Sequence, residues 1–311
     1  MENDSQKKEL SGTSSGAGDI ILVTGANGQL GMELQSLSVS YPQYNFVFLS
    51  RTDLPVENKE MVHSLFEKYR PQYCINCAAY TAVDKAESEK DMAFRVNTEG
   101  TASLAAICSA YNTKFIHIST DYVFDGTASV PYREDNETNP QSVYGASKLA
   151  GEKQVMRFNK DAVIIRTSWV YSEFGKNFVK TMLKLMNEKE EINVVSDQIG
   201  SPTYAADLAE TILQIIVRFT THHSPLTTDS GIYHFSNKGA ISWYDFALAI
   251  KELSGSKCRV NPILTSQYPT PAKRPAYSVL DKTKIQQTFG IVVKDWKESL
   301  AACIRKIQKI S

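Results

Sequence analysis

The sequence predicts an α/β fold, a doubly wound parallel sheet that carries a smaller C-terminal domain. Apolar runs of strand length alternate with helix-length stretches from Ile20 to about Val170. A glycine-spaced turn, Gly25-Ala26-Asn27-Gly28-Gln29-Leu30-Gly31, follows the first of these runs at once. Beyond Val170 the alternation loses its regularity, as expected of a cap over the strand ends. Residues 19–170, joined by about 204–236, are assigned to the sheet domain. About 171–203 and 237–311 form a second α/β domain, expected to bind substrate, and the polar, Gly/Ser-rich stretch 1–18 reads as a disordered tail.

Composition narrows the function. The 311 residues hold 34 basic and 34 acidic side chains, so the net charge is zero, which argues against nucleic acid or an anionic membrane as partner. No apolar run approaches the roughly 20 residues of a membrane helix. The first eighteen residues lack the apolar core of a signal peptide, and a cytoplasmic location is the expectation. Five cysteines, an odd number, read as free thiols. Cys74 and Cys77 match C-x-x-C but lie in an expected strand, Tyr73 to Ala79. Residues three apart in a strand point to opposite faces, so a shared disulfide or metal is disfavoured. His222 and His223 fall in a Thr/Ser/Pro-rich loop that makes a poor metal site, and no metal ligand is assigned.

The first strand is Ile20 to Thr24, and a helix runs from the glycine turn to about Ser38. Gly25, Gly28 and Gly31 allow a tight turn, close backbone approach to a pyrophosphate and close helix–strand packing. The helix N-terminus adds amides and the positive end of its dipole. Asn45 to Leu49 is the second strand. Its exit, about 20 residues past the glycines, should meet the adenosine ribose. Arg51 comes first there and could pair with a 2′-phosphate, while Asp53 and Leu54 follow. NADPH is preferred on that ground, with NADH kept open; a solvated loop charge is the plain alternative for Arg51. Lys59 to Tyr69 is helical and Pro71 ends it. The third strand exits through Ala78-Ala79-Tyr80-Thr81, whose small residues suit a close cofactor ribose. Met92 to Tyr111 reads as one long helix, on which Asn97 is either a satisfied helix polar group or a support beneath the site.

The fourth strand, Phe115 to Ile118, delivers Ser119, Thr120 and Asp121 to the sheet edge where open α/β sheets bind ligands. After a long loop, Thr127 to Gln141, a helix from Tyr144 to Asn159 sets Tyr144 and Lys148 one turn apart on one face. A phenol of pKa about 10 is poorly matched to proton transfer at neutral pH, and an ammonium nearby lowers that value. Tyr144 is therefore expected to act as general acid, tuned by Lys148, with Thr120 bonding the same substrate oxygen. Ala162 to Arg166 is the fifth strand. Trp169 follows it and either stacks on a sugar or base or packs in the core. A helix at Asn177 to Asn187, a strand at Ile192 to Val195, a polar turn at Asp197 to Thr203 and a helix at Ala205 to Arg218 come next. Gly231 to Phe235 is the sixth strand, and helices at Ser242 to Ser254 and Asp295 to Lys309 complete the pattern. Lys273 and Arg274 sit between prolines on a stiff loop that suits a diphosphate, unless it is simply surface.

The glycine spacing together with Tyr144-x-x-x-Lys148 resembles the extended short-chain dehydrogenase/reductases, a group with a Rossmann-type sheet. Within it, several stretches closely resemble the dTDP-4-dehydrorhamnose reductase family: Ala78 to Glu87, Ser119 to Phe124, Arg166 to Tyr171, Asp197 to Thr203 and Tyr268 to Pro275. The likeness spans about Ile20 to the C-terminus. It implies reduction of the C4 ketone of dTDP-4-dehydro-β-L-rhamnose to dTDP-β-L-rhamnose by NAD(P)H, the last step of dTDP-rhamnose synthesis. It further implies that Tyr144 donates the proton and Lys148 binds the nicotinamide ribose. Thr120 would bond the reacting oxygen, Asp121 the sugar, and Trp169 would lie against the substrate. Gly28-Gln29-Leu30, Asp53-Leu54 and Ala79-Tyr80-Thr81 match cofactor contacts. Tyr80 stands where members often carry His or Ala. Some members pair as dimers through Mg²⁺; no ligands for it are identified in this chain, so Mg²⁺ and a homodimer stay open. Two rivals share these motifs. Nucleotide-sugar epimerases keep their NAD bound and consume none, and the regulatory subunit of methionine adenosyltransferase forms a stable hetero-oligomer without reductase activity.

Overall fold

The computed structural model describes residues 18–221 and 229–310. The expected tail, apart from Gly18, and the His222/His223 loop lie outside them. The sheet half of the chain alternates strand and helix: β1 (Asp19–Thr24), α1 (Gln29–Ser38), β2 (Tyr44–Leu49), α2 (Lys59–Tyr69) and β3 (Tyr73–Asn76). Then come α3 (Val83–Ala86), α4 (Lys90–Phe94), a π-helical turn (Arg95–Gly100), α5 (Thr101–Ala110), β4 (Lys114–Thr120), α6 (Val143–Phe158) and β5 (Val163–Thr167). The remainder holds β6 (Val170–Tyr171), α7 (Phe178–Glu188), β7 (Glu191–Val195), β8 (Ile199–Gly200), β9 (Thr203–Tyr204) and α8 (Ala205–Thr221). It ends with β10 (Gly231–His234), β11 (Ile241–Ser242), α9 (Trp243–Ser254), β12 (Arg259–Ile263), α10 (Thr283–Phe289) and α11 (Trp296–Ile310). Among the described residues no helix is long and apolar enough to cross a membrane.

Six strands form one parallel sheet in the order β10-β5-β4-β3-β1-β2. The chain leaves β1 toward β2 and then returns to the other side with β3. The point where the winding reverses therefore lies between the exits of β1 and β3, the position at which such sheets bind ligands. Alternate residues of each strand feed the two faces. Ile21, Val23, Ile75 and Ile165 pack under α1, α8 and α10. Leu22, Cys74, Phe115 and Ile164 pack under α2, α5 and α6. Cys74 and Cys77 accordingly join opposite faces, and all five cysteines are free. A second core, separate from the sheet, gathers Val179, Met182, Ile192, Phe246, Val260 and Leu300 from α7, β7, α9, β12 and α11.

Two elements differ from expectation. β3 stops at Asn76 because the Asn76 side chain takes the Ala78 N–H (3.2 Å) and the Thr24 hydroxyl (2.7 Å), which turns the chain out of the sheet. The long helix at Met92 to Tyr111 is interrupted by the π turn. That wider turn, of a kind found at functional sites, swings Asn97 inward: it accepts from Tyr80 N (2.8 Å) and donates to Tyr80 O (3.1 Å) and Ser147 Oγ (2.9 Å).

A buried polar seam stitches α1 to α11. Glu33 of α1 is 1 % exposed, and Ser172 donates to it at 2.6 Å. Glu173 beside it accepts from Tyr204 (2.8 Å) and Lys306 (2.7 Å). Burial, with the neighbouring Glu173, pushes the Glu33 carboxyl up to about 8. Burial alone would raise Glu173 too, but the neighbouring protonated Glu33 and the bonds from Lys306 and Tyr204 outweigh that and hold it low. Glu33 therefore stays protonated in the fold while an unfolded Glu ionises near 4.5. Its contribution is complete below about pH 4.5 and is lost as pH rises toward 8. The expected result is that unfolding free energy falls between these limits by more in the wild type than in Glu33→Gln, a difference on the order of 1–3 kcal/mol, with melting temperature following it. Parallel melting curves against pH for the two proteins would show the seam to be pH-indifferent.

Candidate active site

The glycine turn lies at the winding reversal. Gly25 has φ +66° and faces β3 so closely that a Cβ would stand 2.6 Å from Ala78 N; only glycine combines that φ with that approach. Gly31 packs as tightly, 2.5 Å from Ala26 O by the same measure. Asn27 and Gly28 are exposed, and Gly28 sits at the N-cap of α1 without any side-chain cap. The first amides of α1 are thus left to an anion from outside, with no acidic residue in the first turn to compete. Leu30 turns into the core. Gln29 crosses to the second core, accepting from Asn177 (2.9 Å). Ala78, Ala79 and Tyr80 are part-exposed and Thr81 exposed, along the rim from this turn.

At the β2 exit the two charged candidates differ. Asp53 is drawn back into its own turn by Ser50 N (2.9 Å) and Ser50 Oγ (2.6 Å), bonds that lower its pKa. Arg51 is exposed, and the Met92 sulfur lies 3.9 Å from its guanidinium. Leu54 is buried and packs the turn onto the sheet. These residues fit a dinucleotide whose ribose end meets a cation.

The reacting end lies at the exits of β4 and β5. Ser142 caps α6 by accepting Gly145 N (3.1 Å), and a Cβ on Gly145 would meet Tyr122 O at 2.2 Å. The helix start therefore lies directly on the turn after β4, which brings Tyr144 to Thr120. The Tyr122 ring meets Tyr144 edge-on at 5.5 Å. Burial raises the Tyr144 pKa; the Thr120 hydroxyl opposes this, and Asp121 and Tyr122 add to it. The phenol is thus held protonated, whereas the sequence suggested that Lys148 would lower its pKa. The reason is where the Lys148 side chain goes. Lys148 Nζ donates to Ile118 O (2.6 Å), against β4, and contributes nothing to Tyr144 here. Burial brings Lys148 itself down to about 8.

Asp121 accepts from Thr120 (2.9 Å), and burial raises its pKa to about 6. The Ser278 hydroxyl lies near enough to ease its ionisation, yet Oδ2 has no well-formed hydrogen bond. A buried carboxylate oxygen left this way fits a substrate hydroxyl. Trp169 has φ +49°, an unfavourable backbone for an aromatic residue. It stacks on Trp243 at 3.5 Å and borders Gly200, where a Cβ would come within 2.5 Å of its ring. Gly200 in turn borders Ser278, so Trp169, Ser278 and Asp121 are contiguous. Arg274 is not loose on the surface: it pairs with Asp84 (2.7 Å) and Tyr122 (3.2 Å). Lys273 reaches only Gln141 (3.3 Å). A cavity of about 280 Å³ lined by Asp207, Phe235 and Lys294 lies elsewhere and holds none of these groups.

Three supports escaped the sequence reading. Ser147 receives Asn97; Glu152 binds Arg166 and Ser119; His117 and Asn76 stand behind Lys148. The signals were a histidine inside an apolar strand and the repeat of Tyr144, Lys148 and Glu152 at one-turn intervals on α6. Among the described residues no group of three or more His, Cys, Asp or Glu side chains is arranged to hold a metal ion.

A glycine turn at the winding reversal and a helix presenting tyrosine and lysine beside it define a short-chain dehydrogenase/reductase. The comparisons are narrower. The family model described as the RmlD substrate binding domain matches residues 19–309. The dTDP-4-dehydrorhamnose reductase of Aggregatibacter actinomycetemcomitans is 44% identical over 286 residues, 90% of this chain and 96% of that protein. The spore coat polysaccharide biosynthesis protein SpsK of Bacillus subtilis is 43% identical, covering 90% of this chain and 95% of its own. Among solved structures, a dTDP-4-dehydrorhamnose reductase from Clostridium acetobutylicum aligns with a TM-score of 0.87 at 42% identity, over 93% and 99% of the two chains. One from Bacillus anthracis, in complex with NADP, aligns with a TM-score of 0.87 at 38% identity over the same shares. This chain belongs to the dTDP-4-dehydrorhamnose reductase family.

Proposed function

We propose that this chain reduces the C4 ketone of dTDP-4-dehydro-β-L-rhamnose to dTDP-β-L-rhamnose with NADPH. The single observation that carries the chemistry is the buried Tyr144 phenol set against Thr120 at the sheet edge. When bound, the reduced nicotinamide supplies a hydride. Tyr144 gives its proton to the carbonyl oxygen as charge develops there, and the Thr120 hydroxyl holds that oxygen in line. Lys148 binds the nicotinamide ribose. Asp121 takes a sugar hydroxyl through its open Oδ2, and Trp169, backed by Trp243, supplies an apolar wall. We read Arg274, already fixed by Asp84 and Tyr122, as a brace for the Tyr122–Tyr144 contact with one face toward the diphosphate. The second core, with the segments flanking it, is read as the substrate-binding unit. NAD bound in place, as in an epimerase, fits less well: Arg51 is the charge offered at the β2 exit, and Asp53 is withdrawn.

The test is oxidation of NADPH and of NADH with enzymatically generated dTDP-4-dehydro-L-rhamnose, followed by loss of reduced-nicotinamide absorbance. Stoichiometric oxidation to dTDP-rhamnose is expected; tight cofactor binding without oxidation would overturn the reading. In Arg51→Ala the NADPH affinity should fall about tenfold, the worth of one exposed charge-assisted contact of roughly 1.4 kcal/mol, with NADH little changed. An unchanged ratio of the two affinities would remove Arg51 from phosphate recognition.

A further inference from the structure

Behind Lys148, four polar side chains run in single file beneath the strand exits: Thr24 of β1, Asn76 of β3, His117 of β4 and Lys148 of α6. All four are 2 % exposed or less. Thr24 Oγ1 donates to Asn76 Oδ1 (2.7 Å), Asn76 Nδ2 meets His117 Nδ1 (3.0 Å), and His117 Nε2 faces Lys148 Nζ (3.4 Å). The far end fixes the direction of this chain. The backbone N–H of Ala78 can only donate, and it is shared between Asn76 Oδ1, the nearer at 3.2 Å, and Thr24 Oγ1 at 3.4 Å. Turning the amide over would set its NH₂ against that N–H. Asn76 therefore donates to His117 Nδ1, which leaves the imidazole proton on Nε2. Burial keeps the ring from taking a second proton. An Nε2–H aimed at an ammonium sets donor against donor. Aimed at a neutral amine it finds a lone pair, and the amine still donates to Ile118 O.

We propose that His117, its tautomer set by Asn76 and Thr24, is a positioning residue that favours the neutral amine form of Lys148 in the cofactor-free enzyme, so that at mildly alkaline pH cofactor binding draws a proton from solvent onto Lys148 Nζ. The other groups around Lys148 agree. Glu152, one turn along α6, has its carboxylate taken by Arg166 of β5 and Ser119 of β4. Cys77 at the β3 exit stays a thiol, its pKa raised by burial, and Tyr144 stays a phenol. Asp121 acts on Tyr144 rather than on Lys148. Among the described residues no uncompensated anion faces the amine. The consequence for the reaction rests on the reductase reading, in which Lys148 meets the nicotinamide ribose; the tautomer is a property of the protein alone.

Two measurements test this. In cofactor-free protein labelled with ¹⁵N in its histidine rings, two-bond ¹⁵N–¹H correlation should show His117, identified by its absence from His117→Gln, as the Nε2–H tautomer. The Nδ1–H tautomer or an imidazolium would overturn the proposal. Calorimetric binding of NADPH at about pH 8.5, where a phosphate with second pKa of about 6 no longer titrates, is then compared in two buffers of different ionisation enthalpy. Uptake approaching one proton per site is expected of the wild type. In Asn76→Asp a carboxylate would accept from Nδ1–H and turn the Nε2 lone pair toward Lys148, so uptake should fall toward zero. Wild-type uptake near zero would overturn the proposal. If NADPH did not bind at all, the reductase reading would fall, and the tautomer would still decide this one.

Discussion

Tyr144→Phe should lower turnover by about 10²–10⁴-fold, roughly 3–5 kcal/mol of barrier, with NADPH affinity nearly unchanged. The phenol is a side-chain proton donor that the fold sets against Thr120, and burial keeps the proton on it until charge appears on a neighbouring oxygen. A ketone oxygen gaining negative charge is such a partner. The substitution removes a single oxygen and leaves the ring to pack on Tyr122 as before (5.5 Å), so folding and cofactor binding should survive. The loss belongs in kcat and kcat/KM together, since a bond made chiefly in the transition state is missing. Turnover within a few-fold of wild type would remove Tyr144 as the donor and leave the assignment without an acid.

How much of this was legible beforehand depended on whether a residue's role was local. The strand–helix alternation set the elements down to within a residue or two at β2, α2 and α6, because apolar runs are read from neighbours in the chain. Gly25, Thr120, Tyr144 and Lys148 were legible because each follows a strand exit or shares one helix face. The target of Lys148 was not. Its bond to Ile118 O depends on how deeply α6 lies against β4, a packing distance that no pattern encodes. Asp53 was ambiguous for the opposite reason: its partner Ser50 is only three residues away, and a turn closed by its own carboxylate looks the same in sequence as a ribose ligand. Asn97 could be weighed but not decided, since the π turn that aims it at Tyr80 and Ser147 has no signature apart from the contacts it makes.

Arg166→Met should cost about 3–5 kcal/mol of stability, the penalty of leaving a buried charge without its partner. Arg166 and Glu152 have side chains 3% and 2% exposed. The guanidinium grips both carboxylate oxygens, at 2.9 and 2.7 Å, and lies 5.1 Å from the centre of the Phe124 ring. Ser119 adds its hydroxyl at 2.5 Å, so Glu152 has no water to fall back on. The pair itself is a weak source of stability, because burying two charges costs about what their attraction returns. Glu152→Gln with Arg166→Met should therefore recover most of the loss, with the single change far worse than the double. The pair also bears on catalysis. Glu152 lies one turn beyond Lys148 and favours its charged form, and Arg166 fixes where that carboxylate sits. Urea unfolding of the two variants measures the stability. A cost below about 1 kcal/mol for Arg166→Met, or a double variant no more stable than the single, would mean that Glu152 finds another partner or takes up a proton. In either case the floor beneath Lys148 would be held by packing rather than by this ion pair.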